Sequence, residues 1–386
     1  MSEVVFILGA GASAHTGAPV MKDFFSTVCD LYEDGLISDE DQKAFKLIRE
    51  AKRDLERILV KVDLDLNNLE TIFSLIEMGR LIGVFPGNTP IDKLHKAIQR
   101  VIVRTIELKT ICQHKPDNGD AYDLLTREIK LLGSPRGCLR SSILTFNYDV
   151  AIDLALERQV GAIDYCLQEK RGVSPGGYKL LKLHGSFNWA KYKKNDESGV
   201  IPISTKRFVS EYCPQREEPI IFTANSPVSE RIRYINTFQI DVGSKINGLK
   251  ANFYPGIEAN LIDDSPLIVP PTWSKTEYHT ILRNVWSQAA KEISGAKHII
   301  IIGYSLPPSD LFFQYLLALG MLDIHRIKSF WVIDRASETI QRYKDFIGEP
   351  IKAAFQESSQ AFDHFVVEHI HQFLKANHLI ESGAVR

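Results

Sequence analysis

No apolar run in this chain approaches the roughly 18 residues that a membrane-spanning helix needs. The N-terminus has no basic region, and Glu3 stands directly before a short apolar run. A secretory leader is therefore not expected. Cysteine is scarce: the five are Cys29, Cys112, Cys138, Cys166 and Cys213, and no two form a CxxC pair. That argues against a disulfide framework and against a cysteine-based zinc site. Reduced thiols in a cytoplasmic protein are the expectation. An excess of either charge is also missing, with 46 basic and 48 acidic residues and a net charge of -2. Such a chain is not a generic nucleic-acid coat, and it has no attraction to an anionic membrane. Internal repeats and low-complexity tracts are absent.

What is present is ordinary globular composition: 386 residues, 44% apolar and 24% charged. A chain of this length buries most of its apolar surface without cross-links. The run Val4–Leu8 reads VVFIL and passes straight into Gly9-Ala10-Gly11-Ala12-Ser13. A continuous apolar run followed by glycines is how a parallel α/β sheet begins. Residues 21–139 then carry helix-period patterns, such as Phe45, Ile48, Leu55, Ile58 and Leu59, and are read as a helical insertion. Buried strands are expected at 141–146, 178–183, 298–302 and 329–333. Helices are expected at 150–158, 277–293 and 310–319, the last capped by Ser309. Residues 188–276 give no clear pattern, and Lys191, Lys193 and Lys194 are read there as a solvated loop cluster. The C-terminal segment 351–386 reads as one amphipathic helix with Phe355, Phe362, Val366 and Phe373 on one side. His364, His369 and His371 do not share a face of it, so no metal site is expected there.

The fold class that follows is α/β, a Rossmann-like doubly wound parallel sheet with a large helical insertion and no zinc module. The whole chain is read as a single domain, with a core of residues 1–20 and 140–350. In such sheets ligands bind at the carboxyl ends of the strands. Every unusual cluster falls at such an end: Gly9-Gly11-Ser13, Asn147-Tyr148-Asp149, His184-Gly185-Ser186, Gly303-Tyr304-Ser305 and Asp334. The first is a GxGxS turn of the kind that brings backbone amides close to a diphosphate. Its match to the dehydrogenase GxGxxG is broken by Ala14, and no acidic residue ends a strand about 20 residues on. Asn147 and Asp149 suit an Asx turn opening a helix, or two polar side chains facing a crevice. His184, between an apolar strand and a glycine, is either a core histidine or a general base.

Taken in order, these residues resemble the sirtuin-like (silent-information-regulator-two-like) superfamily. Gly9 to Pro19, GAGASAHTGAP, is similar to the sirtuin NAD-binding loop. Thr145-Phe146-Asn147-Tyr148-Asp149 is similar to the TQNID segment, His184-Gly185 to the catalytic HG, and Gly303-Tyr304-Ser305-Leu306 to the GTSL segment. The resemblance implies NAD as substrate, with no metal. It implies that Asn147, His184 and Asp149 are catalytic. It also implies that Gly9, Ala10, Gly11, Ala12, Ser13, Thr16, Gly303, Ser305 and Asp334 bind the dinucleotide. Protein-deacylating sirtuins carry a four-cysteine module between HG and GTSL, where this chain has only Cys213. The DFR arginine is also missing, and Phe146 replaces a glutamine. These departures fit the bacterial branch that hydrolyses NAD in anti-phage defence by abortive infection. Members of that branch work as homo-oligomers or with a partner such as a HerA-type ATPase or a short Argonaute. An NAD-dependent deacylase, a non-catalytic NAD or ADP-ribose sensor and a Rossmann dehydrogenase are the alternatives.

Overall fold

The apolar runs of the sequence become the central strands of one parallel sheet. The structure, a computed structural model, describes residues 2–35, 37–58, 64–110, 120–132, 140–167, 177–194, 197–202, 262–269, 276–308, 310–322, 326–377 and 379–380. Strand β1 is Val4–Leu8, and all five of its residues are buried. A single helical turn α1, Ala10–Ser13, follows at once. Four helices come next: α2 Phe24–Glu33, α3 Asp39–Ile58, α4 Leu69–Ile82 and α5 Ile91–Lys109. Helix α6, Ala121–Leu132, leads to β2, Ser141–Thr145, and then to α7, Ala151–Gln159. Strands β3, Ile163–Asp164, and β4, Tyr178–Lys182, complete one side of the sheet.

A small antiparallel sheet interrupts the alternation. Its strands are β5 Gly185–Lys194, β6 Glu197–Pro202 and β7 Ile262–Ile268, in the order β6-β5-β7. Helix α8, Thr276–Gly295, then feeds β8, His298–Ile302. Helix α9, Leu311–Gly320, feeds β9, Ser329–Ile333, and α10, Ser337–Phe346, leads to the short α11, Glu349–Lys352. The chain ends in β10, Phe355–Ser358, α12, Phe362–His364, a π-helical stretch Phe365–His369, and α13, Ile370–Ala376.

Among the described residues the main sheet has seven strands in the order β10-β9-β8-β1-β2-β4-β3, and every neighbouring pair is parallel. The chain builds outward from β1 on one side, then crosses back to β8 and builds outward on the other. That is a Rossmann-like doubly wound sheet, with its strand order reversing between β1 and β8. The register decides what shares the carboxyl edge. Leu8 is level with Thr145 and Ile302, Thr145 with Lys182, and Ile302 with Ile333. Gly9, Phe146, Leu183, Gly303 and Asp334 are thus each the first residue past the same rung.

Two apolar cores form among the described residues. The sheet and the helices on its faces share one, including Phe6, Ile7, Leu144, Leu181, Ile300 and Phe330. Helices α2 to α5 share the other, built on Phe24, Phe45, Ile48, Ile72, Phe73 and Val101, and Tyr148, Phe187 and Ile268 join it from the sheet side. Helix α6, counted with the insertion on the sequence, packs Tyr122, Leu125, Ile129 and Leu132 into the sheet core instead.

Three sequence expectations need correction. Segment 351–386 is not one helix. After Phe355-Gln356-Glu357-Ser358 pairs with β9 as the edge strand, Phe362 begins a separate helical segment. Four residues with one apolar anchor are too short to separate strand from helix by period. Lys191, Lys193 and Lys194 lie in strand β5 rather than a loop. The helix after Gly303 begins at Leu311, and its N-cap is Asp310, whose carboxylate accepts from the Phe313 amide. Ser309 lies outside the described residues, as do Cys112, Cys138 and Cys213.

Candidate active site

The turn after β1 is held by its neighbour across the switch point. The Gly9 amide donates to the Ile302 carbonyl at 3.0 Å, the Gly11 amide to the Gly303 carbonyl at 2.9 Å, and the Ala12 amide to the Gly9 carbonyl at 2.9 Å. A Cβ on Gly9 would lie 2.4 Å from the Tyr304 Cα, and one on Gly11 would lie 2.8 Å from the Gly303 Cα. The glycines therefore let two strand-end turns touch backbone to backbone, and their own amides are engaged inside the protein. This differs from the sequence expectation, in which those amides approach a phosphate directly.

Beneath that turn a polar cluster joins four elements. Asn147 Nδ2 donates to the Gly9 carbonyl at 2.9 Å and to Ser13 Oγ at 2.8 Å. Ser13 Oγ donates to Asp149 Oδ2 at 2.8 Å and shares a hydrogen bond with the Tyr122 hydroxyl at 2.8 Å. The other Asp149 oxygen accepts from the Ala151 amide at 3.0 Å, so Asp149 does open helix α7 with an Asx turn. Ser13, Asn147 and Asp149 are all buried. Burial, with the Asp149 carboxylate close by, pushes the Tyr122 phenol well above its ordinary pKa, so it remains a hydroxyl donor or acceptor. Thr16 Oγ1 donates to the Ser13 carbonyl at 2.6 Å.

His184 follows β4 on the same edge. Its ring meets Phe146 edge-on at 5.0 Å and faces Tyr148 at 6.3 Å, and its Nε2 lies 3.5 Å from Asp310 Oδ2. Phe146 is stacked on Tyr304 at 4.0 Å, which walls the imidazole on its apolar side. A second polar group supports the strand that carries it. Lys182 Nζ donates to the Asp149 carbonyl at 2.5 Å and to Asp153 Oδ2 at 3.0 Å. The Tyr165 hydroxyl donates to Asp153 Oδ1 at 2.6 Å, and Asn188 Nδ2 donates to that hydroxyl at 3.2 Å. Lys182 and Asp153 are fully buried, so the pair is tolerable only because these partners surround it.

A cleft of about 800 Å³ runs over the switch point. Ala10, Gly11, Ser13, Asn147, Asp149 and His184 line it, as do Gly303, Ser305 and Asp334. Gly9, Ala12 and Thr16 are not on its wall. Asp334 Oδ1 accepts from the Ala336 amide at 2.8 Å, an Asx turn at the end of β9. Burial lifts its pKa above the ordinary value, against the pull of that amide and of Arg335 and Arg342. Arg342 Nη1 donates to the Ser305 carbonyl at 2.5 Å. Lys22, Arg335 and Arg342 also line the cleft and were not singled out on the sequence, nor were Tyr122 and Asp310. Arg342 and Tyr122 sit inside helices, where nothing local marks them. Asp310 was read only as the start of a helix. Among the described residues no group of three or more His, Cys, Asp or Glu is placed to hold a metal ion. No helix among them is long and apolar enough to cross a membrane.

No protein-family profile matches the chain, and no curated protein matches its sequence. Solved structures do. A Sir2 homologue in complex with NAD is 12% identical, with a TM-score of 0.44 over 97% of this chain and 91% of that one. Sir2 bound to an acetylated peptide is 12% identical, with a TM-score of 0.39 over 97% and 93%. A Sir2 homologue mutant in complex with ADP-ribose is 13% identical, with a TM-score of 0.40 over 99% and 96%.

Proposed function

We propose that this chain is a sirtuin-like NAD glycohydrolase, cleaving NAD with water to nicotinamide, ADP-ribose and a proton. The observation that carries the reading is one cleft edge. Asn147, tied to Ser13 and through it to Asp149, lines the same cleft as His184, and that cleft also takes in the turns after β1 and β8, where the strand order reverses. Crevices of that position take dinucleotides, and about 800 Å³ is within the range of small-molecule sites. Asp334, Ser305 and the two arginines would hold the adenosine half. Lys22 and the turn at Ala10–Ser13 would face the diphosphate.

In the reaction the bond from ribose C1′ to the nicotinamide nitrogen breaks, and its electron pair stays on that nitrogen. Nicotinamide leaves neutral, so no acid is needed. The C1′ centre passes through an oxocarbenium-like state, as in glycoside cleavage. Asn147 orients the water or the ribose hydroxyls. His184 takes the proton that water gives up as its oxygen bonds to C1′. Asp149 already accepts from Ser13 and Ala151 and has acceptor capacity left for the carboxamide N–H. The biological reading that goes with this chemistry is NAD depletion in anti-phage defence, restrained by a partner or by homo-oligomer assembly.

The test is incubation of the protein with NAD, following nicotinamide and ADP-ribose by chromatography. Release that is lost by about a thousandfold or more in both Asn147→Ala and His184→Ala supports the reading. Release only with an acetylated peptide, giving O-acyl-ADP-ribose, makes it a deacylase. NAD binding with no turnover under any condition makes it a sensor.

A further inference from the structure

The residue facing His184 from across the cleft edge belongs to no motif. Asp310 stands immediately before α9, with its side chain buried. Its Oδ1 accepts from the Phe313 amide at 3.4 Å, its Oδ2 accepts from the Tyr304 hydroxyl at 2.8 Å, and the same Oδ2 lies 3.5 Å from His184 Nε2. The cap and the phenol fix the carboxylate, and the rings of Phe146 and Tyr148 limit the tilt of the imidazole. The only proton-bearing arrangement that suits a carboxylate here is Nε2–H directed at Oδ2, because Asp accepts and does not donate when ionised. A neutral imidazole held this way has its lone pair on Nδ1.

We infer that Asp310 is the positioning residue of His184, fixing its Nε2–H tautomer and leaving Nδ1 to take the proton in the reaction. The catalytic consequence rests on the NAD-hydrolase reading above; the tautomer does not. A separation of 3.5 Å is long for the bond, and such contacts commonly tighten once substrate fills the site. Among the described residues, titratable side chains that face the imidazole include Asp310 from the turn before α9, Tyr148 from the turn after β2, and, through Asp310, Tyr304 from the turn after β8. Asp310 is the carboxylate among them, so removing its charge moves the imidazole most.

The experiment is nitrogen-15 and carbon-13 NMR of histidine-labelled full chain, with the His184 signals identified by their loss in His184→Gln. In the wild type the ring nitrogens should report the Nε2–H form. In Asp310→Asn they should move toward a mixture, and the titration midpoint of His184 should fall. Turnover is read in parallel, with kcat down roughly 10- to 100-fold and KM little changed. Identical His184 tautomer and midpoint in the two proteins would overturn the inference, whatever the turnover. Should Asp310→Asn not fold, Tyr304→Phe leaves the carboxylate but removes its other donor. The His184 midpoint should then rise, and no movement counts against the pair. An Nε2–H tautomer lost in Asp310→Asn, in a protein that binds NAD without turning it over, would keep the pairing and sink the hydrolase reading; turnover that survives His184→Ala would keep both and remove His184 as the base.

Discussion

Gly303 shows how one residue can serve two purposes at once. Its φ is +63°, and a Cβ there would lie 2.5 Å from the Ala12 amide nitrogen. Gly303→Ala therefore meets both a left-handed backbone and a clash with the turn after β1. A loss of about 1–3 kcal/mol is expected from the backbone alone, with more from the clash, as read by urea unfolding. If the cleft takes NAD as proposed, loss of NAD affinity should accompany it, because the same contact shapes the cleft; an unchanged unfolding midpoint would contradict this account. Lys182 is the second case. Lys182→Met leaves Asp153 buried with an uncompensated charge, and a cost of about 3–5 kcal/mol is expected by the same measurement. The double change Lys182→Met with Asp153→Leu should recover much of it. Gly303 is legible in the sequence because a glycine after an apolar strand is a local signal. Lys182, the last residue of β4, is not legible there, because the partners that make a buried lysine acceptable, the Asp149 carbonyl and Asp153, lie in the turn after β2 and on α7.

The elements were legible to the degree that their signal was local. Strands β1, β8 and β9 carry runs of four or five apolar residues followed by Gly or Asp, β2 is a shorter apolar stretch running to Asn147, and their shared register gathers the strand-end clusters along one edge. Strand β10 was hidden because an edge strand of four residues needs its neighbour to define it. Helix α6 was misgrouped because helical period says nothing about which core a helix faces. The tie between α6 and the turn after β1 was equally invisible. His15 Nε2 pairs with Asp120 Oδ1 at 2.6 Å, and Nδ1 meets the Ala12 carbonyl at 2.8 Å. Burial pulls the His15 pKa down, but the Asp120 hydrogen bond and charge, the Ala12 carbonyl and Asp363 more than offset it, so the pKa stands above the ordinary value. A histidine raised on folding contributes its full stabilisation below the unfolded pKa of about 6.5 and loses it as pH rises through the folded value. Thermal melts of wild type and Asp120→Asn should thus differ most at pH 6 or below and converge at pH 9. A gap that widens with pH would show that the pair is not protonated in the folded state.

At the scale of the whole molecule, the two cores meet along the wall of the cleft. Tyr148 and Phe187 belong to the core of α2 to α5, yet Tyr148 also faces His184 and donates to the Val269 carbonyl at 2.7 Å. Ile268, at the end of β7, joins that same core. The helical layer is therefore the backing of one side of the site, while β1 and β8 sit at the centre of the sheet with strands on both flanks. Phe45, fully buried in α3, tests how far the two cores act together. Phe45→Ala should cost about 3–5 kcal/mol in the helical layer. Native-state hydrogen exchange should show faster exchange for amides of α3 and α5, with those of β1 and β8 near their wild-type rates, since only a few side chains couple the cores. The Tyr148 wall loosens in that variant while Asn147, Asp149 and His184 stay on the intact sheet. On the proposed NAD-hydrolase reading, KM for NAD should then rise, with kcat falling less. Equal acceleration of the β1 and β8 amides would instead mean a single cooperative unit, in which the layer behind Tyr148 is as much part of the sheet's stability as of the cleft.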